Sequence, residues 1–322
     1  GFGTITVYLK PFNFEITSLR KDFECDGRHT IPIFGGSFEE DARRRDFTIN
    51  ALYADWEGNI FDPLNGYSDL QNNNIIFIGN PDERIKEDYL RILRFYRFNA
   101  FYGEKTLNLE GQQACLNNRE GLLRLSKERI LNELIRILSA PNPEFSLYGL
   151  KQLDISNLLW VEKAHWEDLF VLFKTEADYQ FQADPLSRFY TWLPQGESFW
   201  KKNFRFSGDQ LKNLKFFKQY SETRKISCEE IFYNLGPTRG KQVLLIRASQ
   251  GLVSKKEVKK WLQETSVPLF PLKGEDILKL GIKPGPQLGY ILKSCEEWWV
   301  QNHFLPSLEE CLEFSKKLRE KL

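Results

Sequence analysis

Methionine is absent from these 322 residues, where average usage suggests on the order of seven. Histidine occurs only as His29, His165 and His303, and the five cysteines (Cys25, Cys115, Cys228, Cys295, Cys311) are scattered with no C-x-x-C pair. That spacing argues against a structural zinc site and for reduced, unpaired thiols. No apolar run reaches membrane-spanning length and no signal-peptide pattern is present, so a cytosolic protein without membrane association is expected. An excess of either charge is lacking too. The net charge is +1, which excludes uniform basicity and confines any nucleic-acid-binding surface to a local patch. The missing methionines, and a start at Gly1 inside what reads as a strand, raise two expectations: that methionines have dropped out of this sequence, and that a segment precedes it.

What is present is 41% apolar and 28% charged, a globular composition, in a chain longer than one core usually serves. Ile5, Val7 and Leu9 form one strand face, and Phe12, Phe14 and Ile16 a second after Pro11. The polar residues 21–41, with Asp26-Gly27-Arg28-His29 and Gly35-Gly36, predict a long mobile loop or a loosely held hairpin. A helix is expected to begin near Asp41 and to carry Arg43, Arg44, Arg45, Asp46 and Asn50. A strand pair over residues 51–61, a turn at Asp62-Pro63 with Gly66, and a strand at residues 75–78 follow. From about Asp82 onward apolar residues recur at three and four, so the remainder reads as helical. One helix starts at Ser126 and stops at Pro141; Pro268 and Pro271 mark a linker. Gly285 and Gly289 read as tight turns or close packing rather than as a phosphate loop, because no strand precedes them.

Two clusters carry chemistry. In EDYLRILRFYRF, residues 87–98, Asp88, Arg91, Arg94 and Arg97 recur every third residue, while Leu90, Ile92, Leu93, Phe95 and Phe98 supply a buried side. An Asp only accepts hydrogen bonds and an Arg only donates, so Asp88 beside Arg91 forms an acceptor–donor edge. That edge complements a base with an exocyclic amine beside an unprotonated ring nitrogen, as in cytosine and adenine; uracil and guanine present the reverse order. The same spacing also fits a solvated helix with ordinary charge pairs. In RDFTIN, residues 45–50, Arg45 would bind phosphate as a planar fork, and Asp46 and Asn50, four apart on a helix, would hold ribose hydroxyls. An interhelix ion pair with a capping Asp is the alternative there.

RRDFTINAL at residues 44–52, DPLNGYSDL at 62–70, EDYLRILRFYRF at 87–98 and LSKERILNEL at 125–134 follow the order and spacing of the class II (bacterial-type) CCA-adding tRNA nucleotidyltransferases, whose superfamily includes the bacterial poly(A) polymerases. KGEDILKLGIKPGPQLGYIL at residues 273–292 resembles the tail of CCA-adding enzymes. The resemblance implies an α+β protein: a polymerase-β-like nucleotidyltransferase head (residues 1–80), then an all-α neck that recognises the base (81–140), a body (141–265) and a tail (266–322) that grip tRNA. It implies that Arg45 contacts phosphates, that Asp46 and Asn50 sit near the sugar, and that Asp88 and Arg91 read the base. Arg94 and Arg97 would join the same pocket, through phosphate or by bracing Asp88. Arg129 and Glu133 would lie behind the base-reading helix and support it.

The chain departs from the family at the metal site. Family members carry an Asp-x-Asp pair ahead of the Gly-Thr strand, and nothing in this sequence matches it. Phosphoryl transfer needs carboxylates to fix divalent ions, here Mg2+ by resemblance. Glu15, opposite in alternation to Phe14 and Ile16, is the one candidate for a further acidic group near them. The loop containing Asp26 and Arg28 looks full length, and within the family such a loop accompanies A addition. Basic and aromatic clusters at residues 201–206 and 212–225 suit tRNA phosphates. The expected activity is template-independent addition of C and A nucleotides from CTP and ATP to the tRNA 3′ end, releasing pyrophosphate. An A-adding enzyme, a poly(A) polymerase, or a non-catalytic RNA- and nucleotide-binding protein without the metal strand are the alternatives.

Overall fold

The computed structural model describes residues 4–25, 29–104, 106–160, 164–182, 184–223 and 225–320, with the backbone alone over 20–25 and 29–33. The chain divides into two compact units, Gly1–Trp166 with Glu197–Ser207, and Glu167–Gly196 with Gly208–Leu322.

The first unit opens with β1 (Thr4–Leu9) paired antiparallel to β2 (Phe12–Thr17), Thr4 opposite Thr17 and Thr6 opposite Glu15. The alternation expected from sequence is there, yet Ile5, Leu9, Phe14 and Ile16 stay exposed. Next, β3 (Arg20–Cys25) pairs antiparallel with β4 (His29–Phe34), so the polar stretch is a hairpin. Asp26 and Arg28 fall outside the described residues.

The helix expected near Asp41 starts earlier and ends sooner. Ser37 and Glu40 form a reciprocal capping box, and α1 runs Phe38–Arg43. Phe47 then adopts extended backbone (φ −123°, ψ 148°) and bridges Phe77, while Asp46 O accepts Ile78 N–H at 3.0 Å. The bridge is what remains of the strand expected at residues 75–78. Arg45, Asp46 and Asn50 therefore sit in a bend and a 3-10 turn (Thr48–Asn50), not on one α-helix. A short ladder, β5 (Tyr53–Ala54) with β6 (Ile60–Phe61), follows. The Asp62 carboxylate accepts the N–H groups of Gly66 and Tyr67 at 2.8 and 2.9 Å and starts α2 (Gly66–Gln71). Only glycine fits at 66: a Cβ there would lie 2.1 Å from the Thr48 carbonyl oxygen.

The helical part of this unit comprises α3 (Pro81–Glu87), α4 (Leu90–Tyr102), α5 (Leu109–Asn117), α6 (Lys127–Ser139), α7 (Glu144–Gln152) and α8 (Ile155–Trp160). Helix α4 packs on α6 and α7 through buried Ile92, Leu93, Phe95 and Tyr96. Phe47 and Phe77 lie 4.8 Å apart and Phe77 and Phe95 5.5 Å, a buried aromatic stack that joins the bend after α1 to α4. Each fully buried ring stabilises by roughly 1.5–3 kcal/mol, so this stack fixes the two segments against one another.

After α9 (Trp166–Asp178) and α10 (Pro185–Trp192), α11 (Glu197–Asn203) returns to the first unit. The second unit continues with α12 (Gly208–Glu222), α13 (Cys228–Ser249), α14 (Lys255–Gln263), α15 (Gly274–Leu278), α16 (Pro286–Gln301) and α17 (Leu308–Arg319). Helix α13 kinks at Gly236 (φ 73°) before Pro237. Arg247 donates to the Tyr220, Ser221 and Thr223 carbonyls and so closes the end of α12. Cys115, Cys228, Cys295 and Cys311 are buried and unpaired. Among the described residues no helix is long and apolar enough to cross a membrane.

Candidate functional site

A cavity of about 560 Å³ opens in the first unit between the bend after α1 and the start of α4. Its lining includes five arginines, Arg44, Arg45, Arg91, Arg94 and Arg129, against two aspartates, Asp46 and Asp88. An excess of guanidinium in a cavity of this size suits a polyanionic small molecule.

One wall comes from residues 41–50. Asp41, on α1, is almost wholly buried. Its carboxylate accepts from Arg44 Nε at 2.9 Å, from Arg45 Nε and Nη2 at 3.1 and 2.9 Å, and from the Tyr53 hydroxyl at 2.8 Å. Burial alone would raise its pKa; the Tyr53, Arg44 and Arg45 hydrogen bonds overcome that and hold it below the ordinary aspartate value. The same burial pushes the Tyr53 phenol up to about 12. Arg45 Nη1 also donates to the Asn50 carbonyl at 2.6 Å, which fixes the guanidinium plane while other N–H groups of the fork remain for a ligand. Asp46 accepts from Phe47 N at 3.1 Å and Asn50 Nδ2 at 2.8 Å on one oxygen and from Arg94 Nε on the other. Burial again works against its ionisation, and Arg94 with Asn50 reverses the outcome, so its pKa is lowered.

The opposite wall is the junction of α3 and α4. Asp88 is not on the helix with Arg91, as spacing alone predicted. It has extended backbone (φ −153°, ψ 104°) between the two helices, and its Oδ1 accepts Leu90 N–H at 3.1 Å. The preceding helix, α3, is capped by Asn80 with Pro81 in its first turn and ends at Glu87. Asp88 remains one turn from Arg91, whose N–H bonds the Asp88 carbonyl at 2.9 Å. Tyr89, the next residue, lies against Gly121, where a Cβ would approach its ring to 1.9 Å. Arg91 Nη1 donates to the Arg84 carbonyl at 2.6 Å and pairs with Glu87. Arg129, from the first turn of α6, reaches back across 41 residues to Asp88 Oδ2 at 2.7 Å.

Of the sequence candidates, Arg45, Asp46, Asn50, Asp88, Arg91 and Arg94 come together here, and Arg129 lines the cavity directly rather than standing behind it. Arg94 braces Asp46, not Asp88. Arg97 is outside the cavity lining: it is buried and pairs with Glu133 at 3.0 Å, with its guanidinium 4.6 Å above Phe98. The helical turn rotates each third residue onward by about 60°, which by Arg97 has carried the ladder from cavity to core. Glu15 stands exposed on β2, on the same strand face as Thr17, which lines the cavity. Asp41 and Arg44 were missed; the D-A-R-R-R run, with arginines three and four residues after an aspartate, was their signal. Among the described residues no three His, Cys, Asp or Glu side chains converge where a metal could be held, so these groups do not fit a resident divalent ion by themselves.

A family model described as the Poly A polymerase head domain matches residues 1–76. The mouse mitochondrial CCA tRNA nucleotidyltransferase 1 is 31% identical over 98% of this chain and 75% of that protein. The CCA-adding enzyme of Streptococcus mutans is 31% identical over 98% of this chain and 82% of its own length. Among solved structures, the Bacillus stearothermophilus CCA-adding enzyme in complex with CTP superposes with a TM-score of 0.72 at 21% identity, covering 99% of this chain and 82% of that one. The fold is thus the α+β fold of these enzymes, a polymerase-β-like head followed by helices. With identity of 31% sustained over nearly the whole chain, this protein belongs to the CCA-adding tRNA nucleotidyltransferase family.

Proposed function

We propose that this protein adds C, C and A to the 3′ end of tRNA from CTP and ATP, without a nucleic-acid template and with release of pyrophosphate. The observation that carries this reading is the single cavity in which Arg45 and Arg44 stand on one wall and Asp88 with Arg91 on the other. The arginines of residues 44–45 neutralise the triphosphate, Asp46 and Asn50 lie beside the sugar, and Asp88 with Arg91 accept the amine and donate to the ring nitrogen of cytosine or adenine. Arg129 and the Leu90 N–H orient the Asp88 carboxylate and leave lone pairs for the base.

Domain assignment follows the same reading: head 1–80, neck 81–140, and body and tail 141–265 and 266–322, which bind the acceptor end of tRNA. Enzymes of this class use divalent metal to activate the attacking hydroxyl and offset triphosphate charge; Mg2+ is the ion we infer. No described residue is assigned as its ligand, and Glu15 is proposed only as an acidic neighbour of the transfer site. We place Asp26 and Arg28 in the loop that accompanies A addition. Buried, unpaired thiols suit a reducing compartment, and of these we infer the cytosol.

Incubation with tRNA lacking its last three nucleotides, CTP, ATP and Mg2+ tests the reading. Products that stop after CCA are expected. Long A tails on unrelated RNA would make the protein a poly(A) polymerase, A addition confined to tRNA ending in CC an A-adding enzyme, and nucleotide binding without any extension a recognition module.

A further inference from the structure

Arg84 touches neither wall's ligand-facing side, yet it is bonded to both walls. It lies on α3, nearly buried, and its Nη2 donates to the main-chain carbonyls of Arg44, at 2.7 Å, and Arg45. Its Nη1 pairs with Glu87, which also holds Arg91, and its own carbonyl accepts Arg91 Nη1 at 2.6 Å. The Arg44 carbonyl is at the C-cap of α1, where orphan acceptors and the negative helix end favour a cation, and the Arg45 carbonyl lies in the bend just after it. One planar fork therefore spans the backbone beneath the phosphate-side arginines and the carboxylate that aims the base-side arginine. Lysine, a single point charge, has no geometry for that span.

We propose that Arg84 is a positioning residue that couples the two ends of the nucleotide cavity, setting the separation between Arg44–Arg45 and Arg91 and thereby both triphosphate affinity and base choice. The proposal rests on the nucleotide-addition reading above. Because the fork bonds backbone on one side and a side chain on the other, its loss frees the Arg44–Arg45 backbone and leaves the Glu87–Arg91 pair untied from it. Loss of Glu87 releases only the Arg91 side.

Steady-state kcat and KM for CTP, ATP and UTP, with thermal unfolding in parallel, are measured for wild type, Arg84→Gln, Arg84→Lys and Glu87→Gln. In Arg84→Gln the KM for CTP is expected to rise on the order of tenfold and the CTP-over-UTP preference to fall by a similar factor, as misplacement of binding groups produces. Glu87→Gln is expected to lower the preference with a smaller change in KM. Arg84→Lys keeps the charge that caps α1 and folds, but does not restore the preference. Arg84→Lys that folds and selects as wild type would overturn the coupling. So would a loss of rate that follows the folded fraction and leaves the preference intact, which would make Arg84 a helix cap alone. If wild type does not discriminate CTP from UTP, the addition reading itself fails and the coupling falls with it.

Discussion

Asp46 and Asp88 line one cavity from opposite walls, and they are held in different ways. Asp46 is 6% exposed and takes hydrogen bonds from Phe47 N, Asn50 and Arg94. Asp88 has a side chain 35% exposed and is held by Leu90 N–H and by Arg129, itself 47% exposed. With Asp41 beneath it, Asp46 belongs to a saturated frame that presents arginines. Asp88 sits in a pair that water already reaches and a ligand can share. Removing one partner from a buried ionic network costs about 3–5 kcal/mol, whereas an exposed pair contributes about 0–1 kcal/mol. The wall proposed to hold phosphate is thus built to be rigid, and the wall proposed to read the base is built to exchange partners.

The sharpest break of this contrast is Asp41→Ala. It leaves Arg44, Arg45 and Tyr53 without their common acceptor, and a destabilisation of about 3–5 kcal/mol in urea unfolding is expected, with weakened binding of CTP and ATP alike. A change below about 1 kcal/mol would show that the first wall is no more sealed than the second. Next comes Gly121→Ala, which drives a methyl group into the Tyr89 ring beside Asp88. It should destabilise by about 1–3 kcal/mol and reduce base choice more than triphosphate affinity. Equal loss of both would spread the damage over the packing of α3 and α4 as a whole. Asp88→Ala is expected to shift stability by about 1 kcal/mol or less and yet to relax discrimination against UTP and GTP. Unchanged discrimination would remove the base-reading role, whatever the stability.

Much of this site was legible in the sequence because its residues fall within short motifs: RRDFT and EDYLR each deliver several groups to one wall. The change from alternation to helical spacing near Asp82 marked a mixed head followed by a helical remainder, and the family resemblance implied the α+β, polymerase-β-like fold. What could not be read was the fate of equally spaced residues. Arg91, Arg94 and Arg97 share one period, yet Arg91 pairs with Glu87 four residues back, while Arg94 and Arg97 are claimed by Asp46 and Glu133, 48 and 36 residues away. The break between α3 and α4 at Asp88 was hidden because no proline or glycine marks it. The exposed apolar face of the first hairpin was equally unreadable, because alternation tells which residues share a face and not whether anything covers it.

Acid offers the gentlest test, because the two kinds of buried carboxylate respond with opposite sign. Asp41 and Asp46 have folded pKa values held below the ordinary 3.8 by their donors. Their contribution to stability is complete above 3.8 and is lost as pH falls through the lower folded values. Glu133 is raised above 4.5, because burial outweighs Arg97 and one carboxylate oxygen has no partner among the described residues. The folded protein therefore takes up that proton before the unfolded chain does, and stability rises as pH falls from the raised value to 4.5. Urea midpoints followed from neutral pH downward should show a shallow gain above 4.5 and a loss below 3.8. Glu133→Gln should reduce the gain and leave the loss, with the remainder carried by Glu176 and Asp184 in the second unit, which burial raises in the same way. Asp46→Asn should leave the gain and shrink the loss. A midpoint that falls steadily from neutrality through pH 5 in wild type would show that Glu133 is ionised without penalty, and the distinction between the sealed acidic frame beside the cavity and the strained ion pair behind it would fail.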